Sequence, residues 1–340
     1  MKFEAVTIKD IAKELGLSTS TVSRALRDSY EISAETKKLV LDYAQKINYK
    51  PNPIALSLKE KRSRSIGVIV CEFANSFFSQ AIDGIESIAY NRGYNLTISQ
   101  SHESFEREML SLQYMASRSI DGLLISVSTQ TKDYSHLKQL HDRGLPIVFF
   151  DRIVDEIDTH KVTANNNKGT FDLTKHLISK GYKKIAHLAS AEFMPITKER
   201  LEGYTKALES SGIKLDKSLI KYCPQGGSVY QEVEEALDDL FKQKNKPDAI
   251  LASADQLTSC CLKYCKAKQL RIPKDIAIVG FSNSDITDLL NPALTVVKQP
   301  AFEMGKAGTE LLLEIIESKR PIKSFETKIF DTELLIRESA

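Results

Sequence analysis

TIKDIAKELGLSTSTVSRAL, residues 7–26, holds two short helix signals on either side of a glycine turn. Thr7 followed by Asp10 is a capping-box pattern, and Ile8, Ile11, Ala12 and Leu15 then recur at helical spacing, which predicts a helix from Ile8 to about Leu15. Gly16 ends that helix, and Ser18 is placed to cap a second one carrying Val22, Ala25 and Leu26 on one face. Two helices joined by a turn of three or four residues containing glycine form the helix-turn-helix pattern. A third amphipathic helix, capped by Ser33, turns Thr36, Leu39, Val40, Tyr43, Ala44 and Ile47 toward a small core.

The outer face of the second helix offers Thr19, Ser20, Ser23 and Arg24 near its N-terminal half. These side chains reach base edges or phosphates if the helix enters a major groove, and Arg24 is the residue suited to a guanine. Hydroxyl residues also gather at helix N-termini for capping reasons alone, so this stretch by itself fits a plain helical bundle equally well. Charge adds a second observation. Residues 1–64 carry 13 Lys plus Arg against 8 Asp plus Glu, whereas the remainder carries 34 against 37. A small basic unit joined to a mildly acidic body points to an anionic partner for the first part.

The chain's 340 residues exceed one ordinary core, so two or more domains are expected. Apolar residues at 42% and charged residues at 27% describe a globular chain and exclude a disordered or fibrous one. Asp10 and Glu14 interrupt the apolar stretch a signal peptide needs, and no run of about 18 apolar residues occurs, so a cytoplasmic location without membrane contact is expected. Five cysteines are too few and too uneven for a disulfide framework and read as reduced core thiols.

From Ser65 onward buried strands alternate with amphipathic helices. SIGVIV, YNLTIS, DGLLIS and LPIVFFD recur as KKIAHLAS, PDAILAS and DIAIVGFS at an offset of roughly 120 to 130 residues. Alternation of this kind argues parallel sheets in two similar α/β lobes, with a ligand cleft at the carboxyl ends of the strands.

The first motif, followed by ISAETKKLVLDYAQKINYKPN, resembles the headpiece of the LacI/GalR family of bacterial transcription regulators. HLISKGYKKIAHLAS, RLEGYTKALESSGI, the run from Ala252 to Asn283, PALTVVKQP and TELLIRES extend that resemblance over essentially the whole body. It implies a helix-turn-helix headpiece over 1–50, a hinge helix and linker over 51–64, and a two-lobed periplasmic-binding-protein-like domain over 65–340. Three chain crossings between lobes follow, with a helix from about Phe302 to Lys319 returning to the first lobe. The implied DNA contacts are Thr7, Ser18, Thr19, Ser20, Thr21, Ser23 and Arg24, with Asn52, Ala55 and the minor-groove wedge Leu58 in the hinge. Asn52 and Pro53 also suit a cap and first helical position. Leu56 departs from the polar residue many members carry, which removes a hinge phosphate contact.

In the body the resemblance assigns effector binding to Asn75, Phe77, Phe78, Asp151, Arg200, Asp255, Gln256 and Ser282. Many members end the relevant strand Gly-Phe-Asp-Asp, whereas here Ser282 and Asn283 follow Phe281. Ile196 likewise replaces a polar residue. The implied protein is a homodimeric repressor, with a tetramer left open, that binds a palindromic operator in double-stranded DNA under a sugar-like effector. Control by a protein co-regulator, or a solute-binding role for the body, are the alternatives. No cofactor and no enzyme activity are expected: no phosphate loop, dinucleotide fingerprint, nucleophile elbow or zinc motif occurs, and the six histidines lack ligand spacing.

Overall fold

The computed structural model describes residues 6–50, 62–322 and 324–340, and its contacts divide the chain into units over 1–64 and 65–340. In the first unit, α1 (Ile8–Glu14), α2 (Thr19–Ala25) and α3 (Ala34–Lys46) enclose Ile11, Ala12, Val22, Ala25, Val40 and Ala44. The amide and hydroxyl of Thr7 both donate to Asp10 Oδ2 at 2.8 Å, and these bonds hold the Asp10 carboxyl below its ordinary value. Gly16 takes φ 63° after the helix, as its position requires. Leu39 does not face the core. It is 50% exposed, because the buried stripe of α3 is only as wide as Val40 and Ala44, one turn apart.

The second unit contains two six-stranded sheets. The first has the order β11-β5-β4-β3-β1-β2, all parallel, from β1 (Ser65–Val70), β2 (Asn95–Gln100), β3 (Gly122–Ile125), β4 (Ile147–Phe150), β5 (Lys161–Ala164) and β11 (Thr327–Phe330). The second has the order β12-β10-β9-β8-β6-β7, from β6 (Ile185–Ala189), β7 (Ile220–Tyr222), β8 (Ala249–Ala252), β9 (Ala277–Phe281), β10 (Thr295–Lys298) and β12 (Glu333–Leu335), with only β12 antiparallel. The internal repeat is explicit: β1 and β6 start at Ser65 and Ile185, 120 residues apart, and β5 and β10 at Lys161 and Thr295, 134 apart.

Successive strand residues point to opposite faces, so each sheet builds two cores. In lobe 1, Val68, Leu124, Val148 and Phe150 face α4 (Ser76–Asn91) and α11 (Ala301–Glu317), while Ile69, Leu123, Ile125 and Phe149 face α5 (Phe105–Ser117) and α6 (Ser135–Asp142). In lobe 2, Ile185, Leu251 and Val279 face α7 (Asn166–Ser179) and α8 (Pro195–Ser210), while Leu188, Ile250 and Ile278 face α9 (Tyr230–Lys242) and α10 (Asp255–Ala267). The chain crosses between lobes three times, after β5, after β10 and after β11. The returning helix is α11, as expected. The strand β11 that it delivers to lobe 1 is an addition, since four residues with alternating burial give little periodic signal.

Two of the crossings deliver helices that lie very close to their neighbours. A Cβ on Gly84 of α4 would sit 2.0 Å from the Phe302 carbonyl oxygen, and one on Gly305 of α11 would sit 2.1 Å from that of Ala81. Lobe 2 repeats the device: a Cβ on Gly203 of α8 would meet the Asn167 carbonyl of α7 at 2.2 Å. Backbone atoms cannot retreat as a flexible side chain can. Gly84→Ala and Gly305→Ala are each expected to destabilise the body by about 1–3 kcal/mol, read as a lower urea midpoint. An unchanged midpoint would show that the helices can separate without loss.

Candidate functional site

Helix α2 begins at the Ser18 cap, whose hydroxyl accepts the Thr21 amide at 3.0 Å and lies 2.8 Å from the hydroxyls of both Ser20 and Thr21. Thr19, Ser20 and Arg24 are exposed; Thr21 and Ser23 are half-buried. Arg27 donates to the Ser23 carbonyl through Nε at 2.9 Å and also to its hydroxyl, so Ser23 is partnered within the helix. Arg24 Nη1 pairs with Glu31 Oε2 at 3.1 Å, both largely exposed. A surface pair of this kind contributes roughly 0–1 kcal/mol, less than the roughly 1–3 kcal/mol of an arginine–guanine contact, so Arg24 is free to change partners. Arg27, one turn beyond Ser23, was not singled out from the sequence. Asn52, Ala55 and Leu58 lie outside the described residues.

The carboxyl ends of β1, β4, β6, β8, β9 and β10 converge on one cleft between the lobes. Asn75, Phe77, Phe78, Asp151 and Arg152 come from lobe 1, and Ser190, Met194, Ile196, Arg200, Asp255, Phe281, Ser282 and Asn283 from lobe 2, with Gln299 on the second crossing. Seven of the eight residues expected there are therefore brought together. Gln256 is not among the lining residues. It follows Asp255 into α10, and its Cβ instead packs where a side chain on Gly227 would clash. Asp255 likewise opens the helix instead of ending the strand. Phe77 and Phe78 line the cleft and belong to the lobe 1 core at once.

Arg200 connects several elements of the cleft. Its Nε donates to Asn166 Oδ1 at 3.0 Å, Nη1 to the Ser253 carbonyl and Nη2 to Gln299 Oε1 at 3.3 Å, while the guanidinium carbon stands 3.8 Å over the Phe281 ring. Burial pushes its pKa down to about 10, opposed by Asp151 and Glu199. Across from it Asp151 has φ 63°, and the Arg152 amide donates to the Phe150 carbonyl at 2.8 Å. This is a γ-turn with positive φ, a strained form that sends consecutive side chains in different directions. Burial holds the Asp151 carboxyl above its ordinary value, against the pull of Arg152, Arg200 and a 3.3 Å bond from Gln299 Nε2.

Arg152 turns away and meets Glu103 through two bonds of 2.7 and 2.8 Å, adding the Cys71 sulfur and the Val127 carbonyl at 3.1 Å. Burial disfavours the Glu103 charge, yet Arg152 and the Thr129 amide hold its carboxyl below the ordinary value. Asp255 lacks such a cation: burial raises its carboxyl, and a hydrogen bond from Ser282 lowers it in part. Ser282 thus serves Asp255. Sequence reasoning missed Arg152, Gln299 and Asn166, whose neighbours in space are far apart in the chain.

Comparison with known proteins bears on these two sites together. A profile for bacterial regulatory proteins of the lacI family matches residues 7–52, and one for a periplasmic binding protein-like domain matches residues 174–340. The HTH-type transcriptional repressor CytR of Escherichia coli (strain K12) is 32% identical over 336 residues, covering 98% of this chain and 96% of the relative. The chain belongs to the lacI family of bacterial regulatory proteins. Other members include the repressor PurR of Vibrio atlanticus, 31% identical over 96% of this chain and 95% of its own, and catabolite control protein A of Priestia megaterium, 29% identical over 92% and 93%. Among solved structures, the lac repressor dimer bound to operator and the anti-inducer ONPF superposes with TM-score 0.81 over 99% of both chains at 24% identity, a likeness of fold. The regulator CelR in complex with cellobiose gives TM-score 0.72 at 27% identity, covering 98% and 100%. The lacI-family assignment joins the helix-turn-helix and the two-lobed body in one architecture. No helix among the described residues is long and apolar enough to cross a membrane.

Behind Arg200, His187 lies in β6 with no exposure, stacked on Tyr204 at 4.9 Å, and neither ring nitrogen has a hydrogen-bond partner among the described residues. Burial, then Arg200, pushes its pKa down to about 3 from an ordinary 6.5. Between those values the unfolded chain binds one more proton than the folded one, so stability is full above pH 6.5 and falls as the pH drops. His187→Phe is expected to reduce the loss between pH 7 and pH 5 by about 2 kcal/mol, measured by denaturant unfolding. An equal loss in both proteins would show that His187 has a partner when charged.

Proposed function

We propose that this chain is a sequence-specific DNA-binding repressor, cytoplasmic and acting as a homodimer on a palindromic operator, controlled by a small molecule of sugar-like chemistry in the interlobe cleft. In this reading residues 1–50 bind DNA, 51–64 form the hinge, and 65–340 bind effector and dimerise. The observation that carries it is the exposed, Ser18-capped N-terminal half of α2, with Thr19, Ser20 and Arg24 outward, in a basic helix-turn-helix unit. One such helix reads only a few base pairs, and specificity within a genome calls for two half-sites. Leu110 and Tyr114, 65% and 55% exposed and one turn apart on α5, give the body an apolar face for a second copy.

Binding to a selected palindrome, followed by fluorescence anisotropy, is expected to weaken steeply with salt. If about 6 to 10 phosphates are neutralised, log affinity falls against log salt with a slope of roughly −5 to −9. Arg24→Ala is expected to relax base preference at one position per half-site, at about 1–3 kcal/mol per contact. Equal weakening on all sequences would make Arg24 a phosphate contact instead, and a flat salt profile would remove the DNA-binding reading.

The polar groups lining the cleft support an effector with hydroxyl or carboxylate groups, which a guanidinium fork such as Arg200 suits. An effector found by thermal-shift screening is expected to change operator affinity, typically 5- to 150-fold, and operator must change effector affinity by the same factor. Equal effector affinity with and without operator would disconnect the cleft from DNA binding. One observation favours a second reading, control by a protein co-regulator: the open space left in the cleft is only about 70 Å³, against roughly 300 Å³ at the lower end of small-molecule sites.

A further inference from the structure

The small cavity has an identifiable cause. Gln80 stands on α4 in lobe 1 and Asn283 follows β9 in lobe 2. Gln80 Nε2 donates to the Asn283 carbonyl at 3.1 Å, and Asn283 Nδ2 donates back to Gln80 Oε1 at 2.8 Å. The same Nδ2 donates its second hydrogen to the Gln299 carbonyl at 2.7 Å, while Asn283 Oδ1 accepts the Gln299 amide at 3.0 Å. Gln299 then passes the network on to Asp151 and Arg200. A separate contact between the lobes has Lys132 of lobe 1 at 5.6 Å over the Phe193 ring of lobe 2.

We propose that Gln80 and Asn283 form a carboxamide latch that holds the lobes closed without effector, and that asparagine at 283 is the residue that makes this cleft self-closing. The inference rests on the reading of the cleft as the effector site and adds how that site is held when empty. Asn283 is 3% exposed, and both of its Nδ2 hydrogens point at acceptors, Gln80 Oε1 and the Gln299 carbonyl. An aspartate at this place would set a carboxylate against those two oxygens with no hydrogen to give. Ser282 and Asn283 therefore act separately: Ser282 serves Asp255, and Asn283 binds the opposite lobe. Closure pairs the cleft's own amides and guanidinium, which offsets the cost of burying them, while Asp151 and Asp255 still bear a cost of burial. An effector enters by replacing the Gln80–Asn283 pair. Asn283 is a positioning residue in this scheme, acting on lobe angle through Gln80.

The test uses the full chain carrying Lys132→Cys and Phe193→Cys, with a short bismaleimide as probe; the five native cysteines are all buried. The intramolecular cross-link, read by mass, forms quickly only when the lobes are closed. With no effector added, the reference protein is expected to cross-link fast, and Gln80→Met or Asn283→Asp to slow it by about tenfold, the loss expected for two net hydrogen bonds. Gln80→Met removes the latch without touching the Gln299 turn, so it stands if Asn283→Asp impairs folding. Slow cross-linking in the reference protein, or fast cross-linking in Gln80→Met, would overturn the latch. If the variants open the cleft while operator affinity stays constant, the latch stands and the coupling of lobe angle to DNA binding fails.

Discussion

A parallel sheet has two apolar faces to cover, and each lobe covers one of them with a helix from chain that has just left the other lobe. Helix α7 arrives after the first crossing to lie on α8, and α11 arrives after the second to lie on α4. The close approach at Gly84, Gly305 and Gly203 belongs to these two pairs. Because the crossings run past the carboxyl ends of both sheets, residues on them meet Arg200 in the cleft. Asn166 opens α7 on the first crossing and Gln299 precedes α11 on the second.

Arg200 touches both of those residues. A ligand that draws the guanidinium away changes the hydrogen bonds of two of the three connections between lobes, so binding and lobe angle share the same side chains. This is the physical content of coupling here: an effector can shift the lobes only by interacting differently with two arrangements, and Arg200, Gln299 and Asn283 are groups whose partners belong to one arrangement. The buried charges divide by the same logic. Glu103 and Arg152 satisfy each other behind the cleft, whereas Asp151 and Asp255 are held above their ordinary values by burial and face the space that a ligand would fill.

The headpiece depends on different physics. Among the described residues its core consists of six buried side chains, and its helices of seven, seven and thirteen residues are fixed by caps at Thr7, Ser18 and Ser33. So small a core leaves the outer face of α2 for interaction, and the Arg24–Glu31 pair occupies that face weakly.

The sequence by itself determined the helix-turn-helix, the alternation of strands and helices and the doubling of the lobes, whereas Arg200 was placed in the cleft only by the family resemblance. Those features are local: caps, periodicity and apolar runs act over a few residues, and the repeat offset shows without any contact being known. Leu39 was misread because periodicity gives a face but not its width, and β5, β7 and β11 were passed over because Lys161, Thr163, Lys221, Thr327 and Lys328 break the apolar run by which the equally short β3, β4 and β8 were recognised. Only the tertiary structure decided which polar groups meet. Gln256 left the cleft when Asp255 became the first residue of α10, while Arg152, Asn283 and Gln299 entered it and Asn166 came to hold Arg200. Gln80 and Asn283 stand 203 residues apart in the chain, and nothing local to either marks it as the other's partner. Their hydrogen bonds exist only because two sheets, each stable for its own reasons, are tied by crossings that bring their carboxyl ends face to face.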